Sequence, residues 1–163
     1  MFNIRRKIIE RAINHTKRKV VFPNLETIKS VGFVLADEMD EKLVNWNVLE
    51  TSARVQMIRY IDQKRGTVNL QNVIYRSDLN FWKLPPNRLV HSFIETPFDL
   101  LINLAGINND TVTYICAASK AKFKVCYKPY GKIYDLVIDL DEKNKSQLVK
   151  QLIHTLINLD GKE

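Results

Sequence analysis

Apolar positions recur along this chain with two periods, and the two periods alternate. At the start, Ile4, Ile8, Ile9, Ala12 and Ile13 follow the i, i+4, i+5, i+8, i+9 spacing of one helical stripe, which predicts a helix over residues 3–17. Arg6, Lys7, Glu10, Arg11 and Asn14 fill its other side. Lys17-Arg18-Lys19 stands at its end, where cations complement the helix dipole. Pro23-Asn24 marks a connector. Ser30 to Ala36 is then a nearly unbroken apolar run, as expected of a strand covered on both faces.

The alternation continues to the end of the chain. Asp37 to Asp40 can cap a helix reaching Glu50. Residues 55–61 and 73–75 read as strands, with a turn at Lys64-Arg65-Gly66 between them. A helix over 86–94 opens on Pro86, where a proline sacrifices no helical hydrogen bond. A strand over 98–104, a helix over 111–119, strands over 123–127 and 133–140 and a closing helix over 144–159 complete the pattern. Two of these strands echo each other: Phe98-Asp99-Leu100-Leu101-Ile102-Asn103-Leu104 and Tyr134-Asp135-Leu136-Val137-Ile138-Asp139-Leu140.

Strands that alternate with helices imply right-handed βαβ crossovers. The expected fold is therefore α/β: a three-layer α/β/α sandwich with a mostly parallel five- or six-stranded sheet, Rossmann-like or flavodoxin-like, preceded by a basic amphipathic helix. Residues 1–22 are expected to form that helix and its connector, and residues 23–163 a single α/β domain. The link Lys128-Pro129-Tyr130-Gly131 is too short for a crossover helix. Strands five and six are thus expected as an antiparallel pair or as neighbours at a sheet edge.

Charge changes this picture more than composition does. The net charge is +7, but residues 1–20 carry Arg5, Arg6, Lys7, Arg11, Lys17, Arg18 and Lys19 against Glu10 alone, a net of +6. Residues 21–163 carry 18 basic and 17 acidic groups, a net of +1, so the basic character belongs to one segment. Those seven cations are the candidate contacts for an acidic partner such as RNA. Three readings of the helix stand open: its isoleucine stripe docks on the domain and leaves a solvated basic face, or it neutralises nucleic-acid phosphates, or it lies on an anionic membrane surface. No apolar run approaches the roughly 20 residues of a membrane span.

The two cysteines, Cys116 and Cys126, fall in a predicted helix and a predicted strand, which suits buried free thiols and a reducing, cytoplasmic compartment. His15, His91 and His154 are far apart and lack partners at ligand spacing, so no metal and no cofactor is expected. No G-x-S-x-G elbow or phosphate-loop signature occurs, which leaves catalysis without a candidate residue. In parallel sheets ligands bind beyond the carboxyl ends of the strands. The tentative ligand set there is Asp37, Asp62, Asn103, Gly106, Asn108, Asn109, Asp110 and Asp139, residue types that also serve as helix caps. A basic-aromatic cluster, Tyr75-Arg76 with Phe81-Trp82-Lys83, could stack on a base or sugar, or pack as core with a snorkelling lysine. Lys120, Lys122, Lys124 and Lys128 recur along strand five, as lysines that guard an edge strand would.

The stretches Phe98 to Leu104 and Ala117 to Val125, with the Gly-Phe strand at Val31 to Leu35 and Tyr60-Ile61-Asp62, resemble an uncharacterised family of small Bacteroidetes proteins. That resemblance implies a three-layer α/β fold and brings no activity. The same strand and the small-residue helix after it are more faintly similar to the N-terminal half of heptosyltransferase-type glycosyltransferases. This chain shows no counterpart of their second, nucleotide-sugar-binding half. The leading expectation is a non-catalytic binding or adaptor domain for an acidic partner such as RNA. The alternatives are a small-ligand or enzymatic site at the strand ends, and a peripheral membrane-surface protein.

Overall fold

Of the seven residues from Ser30 to Ala36 the last six are buried, on both sides of the strand, because helices cover the sheet on both faces. In the computed structural model, which describes residues 2–36, 52–67, 70–106, 109–128, 132–139 and 145–160, these residues form β1 (Ser30–Ala36) at the centre of a six-stranded sheet. The other strands are β2 (Arg54–Ile61), β3 (Val73–Tyr75), β4 (Leu100–Asn103), β5 (Lys124–Cys126) and β6 (Leu136–Val137). The helices are α1 (Phe2–His15), α2 (Asn87–Glu95), α3 (Asp110–Ala118) and α4 (Lys145–Asp160). The expected helix over Asp37 to Glu50 lies outside the described residues.

The strand order is β3-β2-β1-β4-β5-β6, and every neighbouring pair is parallel. The sheet grows outward from β1 in one direction through β2 and β3, then reverses and grows from β4 on the other side. Alternate residues of β1 divide the core. Val31, Phe33 and Leu35 pack with Leu100, Ile102, Val125 and the α4 residues Val149, Leu152, Ile153 and Leu156. Val34 and Ala36 pack with Val90, Phe93 and Ile94 of α2 and Val112, Ile115 and Cys116 of α3. The α/β sandwich expected from the sequence is thus present, with α1 added against α3. Gly32 is required within β1, since a Cβ there would meet the Phe98 ring at 2.9 Å.

Of the two arrangements expected of strands five and six, the second holds: they are neighbours at the sheet edge, Val125 facing Leu136 and Cys126 facing Val137 in parallel register. One expectation is corrected: β5 is not an edge strand guarded by lysines, because β4 and β6 flank it. Lys124 is 2% exposed, and its ammonium donates to the carbonyls of Cys116 (2.7 Å) and Ala117 (3.2 Å), the last turn of α3. A cation belongs there, against the negative end of the helix dipole. Lys120 and Lys122 pair instead with Glu95 and Asp99. Cys116 and Cys126 are both buried and form no disulfide.

α1 is held to this body through its second half and through Arg5, while Ile4 at the start of the stripe stays exposed. Ile9 is buried, and Ala12 and Ile13 pack against the α2–α3 side of the core. Beyond its end, Arg18 forms a bidentate pair with Asp135, both oxygens at 2.8 Å. Val21 donates its backbone N–H to the Lys122 carbonyl, and Phe22 sets its ring edgewise on Phe123. Of the three readings of the basic helix, the geometry agrees with docking of the isoleucine stripe.

Candidate functional site

The carboxyl ends of β2 and β3, the amino end of α3 and the start of α1 enclose a cleft of about 600 Å³. Tyr60 and Asp62 reach it from the end of β2, and Arg76, Asn80 and Lys83 from the segment after β3. Asn109, Asp110 and Thr111 come from the start of α3, and Arg5 comes from α1. β2 and α3 lie on opposite sides of the point where the strand order reverses, so the cleft spans that reversal. A volume of this size falls within the roughly 300–1,000 Å³ of small-molecule sites.

One wall is a tight loop built by a single side chain. The Asn80 carboxamide oxygen accepts from the N–H groups of Trp82 (2.9 Å) and Leu84 (3.1 Å). The Asn80 N–H donates to the Leu84 carbonyl, and the Lys83 N–H donates to the Asn80 carbonyl. Closing this loop holds Lys83 in the left-handed region at φ 54°, a conformation that costs a non-glycine residue about 1 kcal/mol. The Thr111 hydroxyl donates to the Lys83 carbonyl and ties the loop to α3. Phe81 stands in this loop between Asn80 and Lys83, which both line the cleft; its large apolar ring is 70% exposed, with its centroid 5.1 Å from Trp82 in an edge-to-face contact.

The opposite wall is polar. Burial holds the Tyr60 phenol above its ordinary pKa, opposed by a hydrogen bond with Asn109 and reinforced by Asp62, whose carboxylate accepts from the hydroxyl at 3.1 Å. Arg76 stands 3.8 Å from the same carboxylate and is 58% exposed. Arg5 pairs with Asp110 at 2.8 Å. Three cations against two carboxylates leave the cleft side chains at a net +1.

The sequence-derived rim residues separate into groups. Asp62, Asn109 and Asp110 converge on the cleft. Asn109 also caps α3, accepting from the N–H groups of Thr111 and Val112, so the capping role expected of such residues is real at this position. Asn103 turns inward: it is 2% exposed, donates to the Tyr134 hydroxyl at 2.6 Å and accepts from the Ala105 N–H. Gly106 serves the backbone, at φ 63°, with the Tyr127 hydroxyl 1.6 Å from where a Cβ would lie. Asp139 is exposed beyond β6 and does not line the cleft. Asp37 and Asn108 lie outside the described residues. Tyr60 and Asn80 line the cleft without having been singled out. Asn80 carried a signal, a turn-forming asparagine ahead of two aromatics; Tyr60 inside a strand carried none.

The seven basic residues also divide. Arg6, Lys7, Arg11, Lys17 and Lys19 are exposed. Arg5 and Arg18 are drawn inward by Asp110 and Asp135, and the side chain of each is 15% exposed. Among the described residues, no group of three or more His, Cys, Asp or Glu side chains could hold a metal ion, and no helix is long and apolar enough to cross a membrane.

A model of a family of unknown function, DUF6913, matches residues 3–159. Neither the curated proteins nor the solved structures contain a match.

Proposed function

The chain belongs to this family of unknown function, and from that premise we propose that it is a non-catalytic adaptor that holds RNA, an acidic polymer, against the exposed face of α1. The observation that carries this reading is the division of the basic segment. Docking uses the isoleucine stripe and two arginines, and leaves Arg6, Lys7, Arg11, Lys17 and Lys19 in solvent beside a nearly neutral body. Only Glu10, which pairs with Arg6 at 3.0 Å, offsets them within the helix. A face of this kind attracts phosphates by releasing their counterions. The strand order is the one found in doubly wound nucleotide-binding sheets, which supports, by fold analogy alone, a ligand at the carboxyl rim next to this face. A cytoplasmic setting suits both the partner and two cysteines that form no disulfide.

The test is anisotropy of a labelled single-stranded RNA across a salt series. Deleting residues 1–20 would strip α3 of its cover and break the Arg18–Asp135 pair, so charge removal is the cleaner perturbation. Five phosphate contacts correspond to a slope of about −3.5 in log K against log salt. The variant Arg6→Ala/Lys7→Ala/Arg11→Ala/Lys19→Ala retains one of the five cations and should fall to about −0.7. An unchanged slope, or no binding by the wild type, overturns the reading. Charge-dependent co-sedimentation with phosphatidylserine vesicles, without RNA binding, would assign the face to a membrane surface instead.

A further inference from the structure

We infer that the cleft seats one ribonucleotide unit, its base on Phe81, its phosphate between Arg76 and Lys83 and its ribose hydroxyls toward Asp62. The inference deepens the RNA reading and rests on it for the source of the nucleotide.

Three observations meet at this place. The first is the aromatic. A ring that is 70% exposed contributes little to folding, yet the Asn80 loop fixes its position through four hydrogen bonds and a left-handed residue. Trp82 meets it edge-to-face, and most of the Phe81 ring surface remains in solvent. Bases stack on such a platform whatever their identity.

The second is the placement of charge. Arg76 and Lys83 bracket the Asn80 loop at its two ends, and both line the cleft. Arg5 occupies Asp110, so the carboxylate at the start of α3 is neutralised and does not repel an entering phosphate. The third is an exposed carboxylate. Asp62 is 66% exposed and is aimed by the Tyr60 hydroxyl. A carboxylate facing a mouth that otherwise favours anions is poorly suited to a bare phosphate. It is well suited to ribose hydroxyls, which donate, and the 2′-hydroxyl is what separates RNA from DNA. Arg5 lies in the first turns of α1, next in sequence to the exposed Arg6 and Lys7, so the cleft and the basic face share one helix.

The experiment uses the full chain carrying Trp46→Phe, so that fluorescence reports Trp82 alone. The probes are 5′-AMP and labelled decamers of riboadenosine and deoxyriboadenosine. AMP should quench Trp82, and Arg76→Ala should weaken that quench. Phe81→Ala should weaken ribo-decamer binding by about tenfold and leave the salt slope as in the wild type, because no phosphate contact is lost. Asp62→Asn should narrow the preference for the ribo- over the deoxyribo-decamer. If the wild type binds the ribo-decamer and Phe81→Ala changes affinity by less than twofold, the cleft inference is overturned while the α1 reading stands. If AMP quenches but no decamer binds, the cleft is a mononucleotide site and the RNA reading falls. Silence from both probes sinks both.

Discussion

Lys124 offers the sharpest check on the interior. Its ammonium is buried, and that burial, with the Arg18 guanidinium adding to it, pushes its pKa down from 10.5 to about 8; Asp135 opposes the fall. The unfolded chain therefore binds the proton more tightly than the folded one. Wherever the unfolded state holds more protons, stability rises with pH. Stability should thus climb from about pH 8 and level off near 10.5, the reverse of a salt-bridged lysine. At about 1.4 kcal/mol per pH unit, the gain between pH 7 and pH 10 is about 2.5 kcal/mol. Two neighbours run the other way. Burial raises the Cys116 thiol to about 11 and holds the Tyr134 phenol above its ordinary value, so each subtracts stability as pH rises through its unfolded pKa. The raw pH profile mixes all three. The informative quantity is the difference in urea-derived unfolding free energy between the wild type and Lys124→Met, measured at each pH from 7 to 10. The thiol and phenol contributions largely cancel in that difference, and the wild type should gain about 2.5 kcal/mol on the variant across the range. A difference that stays flat within about 1 kcal/mol would mean that Lys124 titrates as it does in water, and that its contact with the α3 carbonyls is not the closed, dry cap described above.

Two further substitutions separate structural from surface roles. Gly106→Ala places a Cβ against the Tyr127 hydroxyl at positive φ, and the two penalties together should cost about 3 kcal/mol by urea denaturation. Adding Tyr127→Phe should recover part of that loss, since the ring carbon would still lie 2.7 Å away, and a loss below about 1 kcal/mol from Gly106→Ala alone would refute the contact. Arg18→Ala leaves the Asp135 carboxylate, 14% exposed, without its cation, and should cost about 3 kcal/mol or a melting shift of roughly 6–12 °C. Arg6→Ala, at 81% exposure, should stay within about 0.5 kcal/mol and lower RNA affinity instead; equal stability losses for the two arginines would count against the inward and outward assignment.

Much of the fold was legible because burial on both faces leaves a mark in sequence. Ser30 to Ala36 and Leu100 to Asn103 read as strands for the same reason that they sit side by side. The direction of β6 was not legible. A link too short for a helix left an antiparallel pair and neighbours at a sheet edge both open, and β6 takes the second arrangement, with Leu136 and Val137 in parallel register on β5. The echo between Phe98-Asp99 and Tyr134-Asp135 has a physical origin that the sequence alone hid. Each aspartate stands just before a strand and accepts a backbone N–H at the start of the strand beside it, Asp99 from Ser30 and Asp135 from Lys124. Each also binds a cation, Lys122 and Arg18. Similar pattern therefore reflects a similar task at two places in a parallel sheet.

The candidate site was half legible for a related reason. Strand-end polar residues can be listed from the sequence, but the direction of each cannot. Asn103 and Asn109 look equivalent on paper; one seals the interior against Tyr134 while the other borders the cleft. Arg5 and Arg6 are neighbours of one type, and a rotation of about 100° along the helix sends one to Asp110 and the other to solvent. The +6 of the first twenty residues is consequently a sum over two populations. One fastens the helix to the domain, and the other faces outward. Only the second is available to a partner, and it is available because the first holds the helix in place.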